Sequence, residues 1–222
     1  METINCPSKN SEKNIDIALW LFDFNSSLKP ISSKEHQIAK RLPEKRAYQF
    51  KYSRGYIRNS LSTLFNIEPL QIPIKALPGR PPLLPKKMGY LSLSHSENAL
   101  LIGWSRYKIG VDIEQRNRLF PFKAIANKYF SKQEKEYLSL SEENCCHEKT
   151  LDLWIKKEAA IKWQEGKLLR DLPNWICSLE KSKAYHLKMK KTINVHSFRF
   201  SNLLISVASQ REIYKNLIIC KS

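Results

Sequence analysis

The order of apolar and polar residues along this chain predicts a mixture of helices and strands. Residues 15–24 are apolar at nearly consecutive positions, which is typical of a strand buried on both faces. From Pro43 to about Phe65 the apolar residues recur at helical spacing, and a proline is well suited to the first position of a helix. Four apolar positions share one face of this predicted long helix: Phe50, Ile57, Leu61 and Leu64.

The rest of the chain divides into further short elements. Residues 67–85 hold six prolines and one glycine, and therefore predict a loop with at most one short strand. Strands are predicted at 90–94, 99–105 and 109–114, followed by helices at 122–128, 132–140 and 149–164. The C-terminal part then predicts strands near 176–179, 186–190, 196–200 and 203–208.

Helices and closely spaced strands occur in both parts of the chain, so we predict an α+β fold. Residues 96–102 and 201–205 resemble each other. The interpretation is a duplication: two pseudo-symmetric α+β halves, each an antiparallel sheet with a long helix. The predicted division places residues 1–108 in the N-terminal half and 109–222 in the C-terminal half.

Composition adds the expected cellular setting. The N-terminal residues are polar and lack the apolar stretch of a signal peptide, and no apolar run approaches the roughly 20 residues that span a bilayer. The five cysteines are odd in number and form no C-x-x-C pair. We therefore expect a cytoplasmic protein with reduced cysteines and no membrane segment.

The excess of basic residues indicates what kind of partner the protein binds. The formal net charge is +17. Such an excess favours a polyanionic partner, which could be a nucleic acid, an acidic membrane, an acidic protein or a phosphorylated cofactor. A contribution to solubility alone is also open at this point.

Two carboxylates stand out in the strand predicted at 109–114. Because side chains alternate along a strand, Asp112 and Glu114 point to one face while the apolar residues between them point to the other. In the helix predicted at 149–164, Glu158 and Lys162 follow Trp154 at intervals of four. Three carboxylates without histidine or cysteine favour a hard cation, Mg²⁺ or Mn²⁺, although a solvated strand face and a surface Glu–Lys pair would also explain these residues.

Other motifs are less specific. Ser94-His95-Ser96 lies at a strand end, where hydroxyls and an imidazole can bind phosphate, but a polar turn explains it equally well. The turn that contains Arg80 is uninformative alone. The chain has neither G-x-G-x-x-G nor G-x-x-x-x-G-K-[ST], so neither a Rossmann nor a P-loop phosphate site is indicated.

The order of these motifs is more specific than any one of them. They are Gly79-Arg80-Pro81, Leu93-Ser94-His95-Ser96, Ile109-Gly110-Val111-Asp112-Ile113-Glu114, Phe130-Ser131-x-x-Glu134 and Trp154-Ile155-Lys156-Lys157-Glu158-Ala159-x-x-Lys162. Their succession resembles the 4'-phosphopantetheinyl transferase family. The length is similar to that of its surfactin-type class, which has two tandem halves in one chain and the active site between them.

The resemblance implies transfer of 4'-phosphopantetheine from coenzyme A to a serine of an apo acyl or peptidyl carrier protein, with release of adenosine 3',5'-bisphosphate. It implies Mg²⁺, or Mn²⁺, held by Asp112, Glu114 and Glu158. Glu158 or a metal-bound water would take the serine proton, and Lys162 would neutralise the pyrophosphate. The expected partner is an acidic carrier protein, and the expected oligomeric state is a monomer.

The resemblance also implies contacts with the phosphates of coenzyme A. Ser94, His95 and Lys162 would make them, together with Arg80, which stands where the family usually has a lysine. Gln49 stands where the family usually has an arginine for the 3'-phosphate. One of four basic residues is expected to substitute for it: Lys45, Arg46, Lys51 or Arg54.

Two alternative functions stay open. A Mg²⁺-dependent nuclease would also use carboxylates and a lysine, although the usual spacing of acid and lysine is two residues rather than four. A basic nucleic-acid-binding module would place aromatic and basic residues together on a sheet, as His196-Ser197-Phe198-Arg199-Phe200 faintly suggests. Neither explains why Asp112 and Glu114 share a face, so nucleic acid is not the expected partner.

Overall fold

The computed structural model describes residues 15–75, 81–119, 121–213 and 217–221. These residues form six helices and nine strands. The helices are α1 (Ser33–Ala39), α2 (Glu44–Phe65), α3 (Phe122–Tyr129), α4 (Lys132–Ser139), α5 (Glu143–Gln164) and α6 (Leu168–Asp171). The strands are β1 (Ile17–Asp23), β2 (Tyr90–Ser96), β3 (Ala99–Ser105), β4 (Ile109–Gln115), β5 (Trp175–Cys177), β6 (Lys183–His186), β7 (Lys191–Phe200), β8 (Leu203–Ser209) and β9 (Leu217–Lys221). The predicted α+β class is confirmed.

The strands form two sheets. The first has the order β2-β3-β1-β9 and the second the order β4-β8-β7-β6-β5. Neighbouring strands are antiparallel except β1 and β9, which run parallel. Among the described residues, no helix is long and apolar enough to cross a membrane.

Three hydrophobic cores hold these layers together. Helix α2 packs on one face of the first sheet, and α5 packs on one face of the second. The third core lies between the sheets and includes Leu19, Val111 and Ile205. Strand β1 contributes alternate residues to two of these cores, which confirms the prediction that it is apolar on both faces.

Glycine at position 110 sets the distance between β4 and α5. A Cβ atom there would lie 2.0 Å from the carbonyl oxygen of Ala159 and 2.4 Å from the backbone nitrogen of Trp163. Only a residue without a side chain allows the helix to approach this closely. The contact brings Glu158 and Lys162 of α5 to the level of Asp112.

The two segments with similar sequences occupy similar positions. Residues 96–102 include the turn of the β2–β3 hairpin and the start of β3. Residues 201–205 include the turn of the β7–β8 hairpin and the start of β8. Glu97 and Ser201, one in each turn, have positive φ angles of 34° and 52°. The pseudo-symmetric two-half arrangement as a whole stays a prediction.

The sheets change between β3 and β4, close to the predicted division at residue 108, but the division is not complete. Strand β9, from the C-terminal end, adds to the first sheet beside β1. This strand was not predicted, and neither were the short helices α1 and α6. As a domain boundary, the division into 1–108 and 109–222 stays a prediction.

The bounds of several other elements differ from the predictions; strand β7, for example, begins at Lys191 rather than near His196. Helix α5 begins at Glu143 rather than Lys149, so Cys145 and Cys146 are helical. The strand predicted at 186–190 ends at His186, and residues 187–190 form a turn in which Lys190 has a φ angle of 49°. The predicted position was therefore wrong in all but its first residue, because the chain reverses there in the hairpin to β7.

Candidate active site

Strand β4 carries two carboxylates towards helix α5. Gly110 faces the helix backbone, and Asp112 and Glu114 lie on the same side because side chains alternate. The intervening residues, Val111 and Ile113, are fully buried in the core between the sheets. The predicted sharing of one face by the two carboxylates therefore agrees with the structure.

Asp112, Ser94 and Lys162 form a closed triangle of hydrogen bonds. Nζ of Lys162 donates to Oδ1 of Asp112 at 2.7 Å and to Oγ of Ser94 at 2.8 Å, and the Ser94 hydroxyl donates to the same Oδ1 at 2.7 Å. The three residues come from β4, β2 and α5, so both sheets and the second long helix contribute. Asp112 is only 2% exposed, whereas the Lys162 side chain is 30% exposed. Lys162 thus connects the buried carboxylate to solvent.

The second oxygen of Asp112 has no partner. Oδ2 is buried and makes no hydrogen bond to any described residue. A buried carboxylate oxygen without a partner is costly, because desolvation is not compensated. The position is therefore suited to a ligand that supplies positive charge or a proton.

Glu114 and Glu158 complete a cluster of three acids. Burial, and next the charge of Asp112, raise the pKa of Glu114 to about 7. The same two causes, in the same order, raise the pKa of Glu158 to about 8, against the opposing charge of Lys162. Burial and the neighbouring carboxylates therefore disfavour the ionised form of both glutamates, and a cation bound among the three side chains would favour it.

Three serines of β2 join the two sheets at this place. Ser92 Oγ accepts a hydrogen bond from the backbone of Val111 at 3.0 Å, and Ser96 Oγ accepts one from Gln115 at 3.2 Å. Ser96 also donates to Glu114 at 3.3 Å. Side-chain hydroxyls on β2 therefore contact the β4 backbone, and they hold the carboxylate strand in register with Ser94. Ser92 was not predicted to have a role, and Ser96, whose hydroxyl was considered for phosphate binding, contacts β4 instead; their alternation along β2 was a usable signal.

His95 points to the other side of β2, towards α2. Its Nε2 lies 2.8 Å from Oγ of Ser53, and its ring stacks on Phe24 at 5.8 Å between centroids. Because the single hydroxyl hydrogen of Ser53 goes to the carbonyl of Gln49, Nε2 of His95 is the donor. The imidazole has an exposed edge but is surrounded by protein, and this desolvation, with the charge of Lys162, lowers its pKa to about 4. The ring is neutral at physiological pH, and Nδ1 is then the acceptor nitrogen.

The basic residues predicted to contact the coenzyme A phosphates do not lie together at one place. Lys45 lines a groove of about 580 Å³ with Gln49, Lys51 and Phe24, on which His95 stacks, and Glu44 and Glu97 line it as well. Arg46 is exposed on the same helix. Arg80 lies outside the described residues.

Arg54 is separated from this groove. Its side chain is 5% exposed and stacks on Phe50 at 5.0 Å, and its Nη1 has no partner among the described residues. Burial lowers the pKa of Arg54 to about 10. Glu35 lies near enough to oppose that shift, so this arginine belongs to the contact between α1 and α2. Lys45 thus shares a groove with Phe24, the stacking partner of His95, whereas Arg54 does not line that groove.

A larger cavity opens beside Lys162. Its volume is about 720 Å³, and its walls are mostly apolar residues of the 81–86 loop and of β2. Lys75, Lys86 and Lys108 also line it. The candidate site therefore lies between a lysine-bordered apolar cavity and the groove on α2.

The acidic cluster fits a hard divalent cation in the chemistry of its donors, since carboxylate oxygens suit Mg²⁺ and Mn²⁺ and Asp112 Oδ2 has no partner in the described part of the chain. It is not a finished coordination sphere. Within the described ranges, no three His, Cys, Asp or Glu side chains are close enough together to hold a metal ion. Lys162 instead contacts Asp112, and Arg118 forms an ion pair with Glu114.

Another lysine of α5 proves to be structural. Lys157 is fully buried, pairs with Glu134 at 2.9 Å and donates to the backbone carbonyl of Trp175. Glu134 also caps α4, through the backbone of Ser131, and accepts from the backbone of Cys177. These two residues of the quoted motifs therefore anchor α5 to α4 and β5, a role that the sequence analysis did not identify.

Comparison with known proteins gives one match. Residues 108–214, just under half of the chain, match the family model of the 4'-phosphopantetheinyl transferase superfamily. The matched segment contains Asp112, Glu114, Glu158 and Lys162, whereas Ser94 and His95 precede it. No curated protein matches the chain.

Proposed function

We propose that this protein transfers 4'-phosphopantetheine from coenzyme A to a serine of an apo acyl or peptidyl carrier protein. The observation that carries the proposal is the triangle of Asp112, Lys162 and Ser94, with Glu114 and Glu158 beside it. The acidic and lysine members of this group lie within the segment that matches the superfamily model.

The proposed reaction breaks the phosphoanhydride bond of the coenzyme A pyrophosphate and forms a phosphate ester. The serine oxygen of the carrier forms a bond to the β-phosphorus of the coenzyme A pyrophosphate, and the bond from that phosphorus to the bridging oxygen breaks. The products are the holo carrier and adenosine 3',5'-bisphosphate. The serine proton goes to the carboxylate of Glu158, a member of the acidic cluster whose raised pKa favours holding a proton.

Most of the rate enhancement would come from neutralising the charge of the phosphates and from positioning the reacting groups, as in other phosphoryl transfers. A divalent cation held by Asp112, Glu114 and Glu158 would neutralise pyrophosphate charge when bound. Lys162 would donate a hydrogen bond to the leaving phosphate oxygen from its position at the cavity. Ser94 fixes Asp112 and Lys162 relative to each other.

Phosphate contacts are proposed on the opposite side of β2. Neutral His95, held by Ser53, and Lys45 in the adjacent groove would contact the remaining phosphates of coenzyme A. Arg46, Arg54 and Arg80 stay candidates for the same role. Of these, the burial of Arg54 against α1 supports it least.

The net charge of +17 supports an acidic carrier as the protein partner. We also propose that the chain is a cytoplasmic monomer of the surfactin-type arrangement, with the site between two similar halves. The hairpins of residues 96–102 and 201–205 support that arrangement, because they repeat the same turn and strand.

Neither alternative function gains support from an observation of its own. Lys162 of helix α5 contacts Asp112 of strand β4. Its separation of four residues from Glu158 also differs from the two residues usual between the acid and the lysine of a nuclease. Phe198 and Phe200 pack against the core between the sheets rather than forming an exposed aromatic face. A nucleic-acid platform on this strand is therefore not favoured.

Intact-mass spectrometry tests the proposal. With Mg²⁺ and coenzyme A, the protein is expected to add about 340 Da, the mass of the phosphopantetheine group, to an apo carrier. A panel of fatty-acid, polyketide and peptide carriers is needed, and a carrier whose acceptor serine is replaced by alanine is the control. No mass shift on any carrier of the panel would overturn the assignment.

A further inference from the structure

A cationic side chain of the protein itself contacts Glu114. Nη1 of Arg118 forms an ion pair and hydrogen bond with Oε1 of Glu114. The Glu114 side chain is 12% exposed and the Arg118 side chain 42% exposed. One partner is therefore almost buried, while the other reaches it from solvent.

The backbone of Arg118 is held where this contact is made. Its amide donates to the carbonyl of Gln115 at 3.1 Å, which forms the turn after β4. Its carbonyl accepts a hydrogen bond of 3.1 Å from Nε2 of His147 on α5. The turn is thus attached to both β4 and α5, and a change at Glu114 requires movement of the arginine side chain only.

The charge of Arg118 acts on more than its direct partner. It opposes the rise in pKa at Glu114, and it opposes the rise at Glu158 as well. The guanidinium therefore lies close enough to both glutamates for its charge to stabilise their ionised forms. A divalent cation that binds those carboxylates would have to compete with Arg118 for Oε1 of Glu114, and the positive charge of the guanidinium would repel it.

We propose that Arg118 is a built-in counter-cation that occupies Glu114 and is displaced when a divalent cation binds. Its guanidinium satisfies the carboxylate before the metal arrives. This inference rests on the metal-binding part of the proposed function, which assigns Glu114 as a ligand. Arg118 is a positioning residue, since it acts through Glu114 and reaches no reacting atom.

Removing the guanidinium should strengthen metal binding. Mn²⁺ titrations followed by electron paramagnetic resonance, at fixed pH and ionic strength, compare the wild type with Arg118→Ala and Arg116→Ala. Arg116 is the matched control, because it lies in the same turn, carries the same charge and pairs with Glu148 at 3.1 Å instead. We expect Arg118→Ala to bind Mn²⁺ about fivefold more tightly, as suits a partly exposed ion pair, and Arg116→Ala to remain close to the wild type.

The outcomes separate this inference from the proposed function. Equal affinity in the wild type and Arg118→Ala, weaker binding by Arg118→Ala, or an equal gain in both variants would overturn the role of Arg118 and leave the metal site standing. Absence of Mn²⁺ binding in all three proteins would overturn the metal role of the carboxylates, and the counter-cation with it. Binding by Arg118→Ala alone would support the inference strongly.

Discussion

Helix α5 carries two lysines that meet carboxylates in opposite ways. Lys157 is fully buried against Glu134, and both oxygens of that carboxylate have partners: Lys157, Ser131 and Cys177. Lys162 is 30% exposed and meets Asp112, whose second oxygen has none among the described residues. The first network is complete and dry, and the second is incomplete and open to a cavity.

The difference indicates which network is structural and which is functional. A buried ion pair with every oxygen satisfied gives rigidity and leaves no place for a ligand. A buried carboxylate with one unsatisfied oxygen, next to two glutamates of raised pKa, is held in an unfavourable state by the rest of the fold. Residues five positions apart on one helix therefore differ in role because of what packs around them.

The largest expected effect is on activity, at the open network. Asp112→Asn keeps the size of the side chain but removes the charge that faces Lys162, so carrier modification should fall at least about 1000-fold. The melting temperature should not decrease, because the substitution also relieves repulsion with Glu114 and Glu158. Initial rates from intact-mass spectrometry and thermal melts measure the two effects.

Asp152→Asn is the matched control for that variant. Asp152 pairs with Lys156 on α5 at 2.6 Å, away from the cluster. Normal transfer by Asp112→Asn, or an equal loss in Asp152→Asn, would contradict the assigned metal role.

The closed network should show the opposite response. Lys157→Met leaves Glu134 buried without its counter-charge, and we expect a loss of about 3–5 kcal/mol in the free energy of unfolding. Urea denaturation gives the value. Lys156→Ala, which breaks a partly exposed pair four residues apart, should cost no more than about 0.5 kcal/mol. Similar losses for the two variants would show that the Glu134 network is not the anchor described above.

The smallest expected effect is a pH dependence of stability at Glu158. Its folded pKa of about 8 exceeds the ordinary value of 4.5, so between these values the unfolded chain has released a proton that the folded protein keeps. The metal-free protein should therefore lose stability as pH rises from about 5 to 8. Glu158→Gln removes this penalty, and its gain over the wild type should grow with pH across that interval.

Urea denaturation from pH 5 to 9 in the presence of a chelator measures that gain. Lys162→Met provides a comparison: the lysine charge opposes the rise in the pKa of Glu158, so its removal should extend the pH dependence to higher pH. A gain that shrinks as pH rises would contradict a raised pKa at Glu158.

Much of the fold could be predicted from local patterns. The bounds of β3 agree with the prediction, β4 extends one residue further, and α2 begins directly after Pro43. Helix α1 was missed although Ser32 and Glu35 form a capping box, the short-range signal S-x-x-E. Strand β9 was missed for a different reason, because its pairing with β1 joins residues about 200 positions apart.

The sequence by itself determined which side chains share a face. Asp112 and Glu114 lie together because a strand alternates, and Glu158 and Lys162 lie together because a helix repeats every 3.6 residues. Both periods are properties of the backbone and need no knowledge of the neighbours.

Only the tertiary structure decided what those faces meet. The approach of α5 to β4 over Gly110, the serines that join β2 to β4, and the separation of Arg54 from His95 depend on how distant elements pack. Burial and partner choice also distinguish Lys157 from Lys162. The physical reason is that desolvation and hydrogen-bond satisfaction are set by every surrounding atom, whereas periodicity is set by the local chain alone.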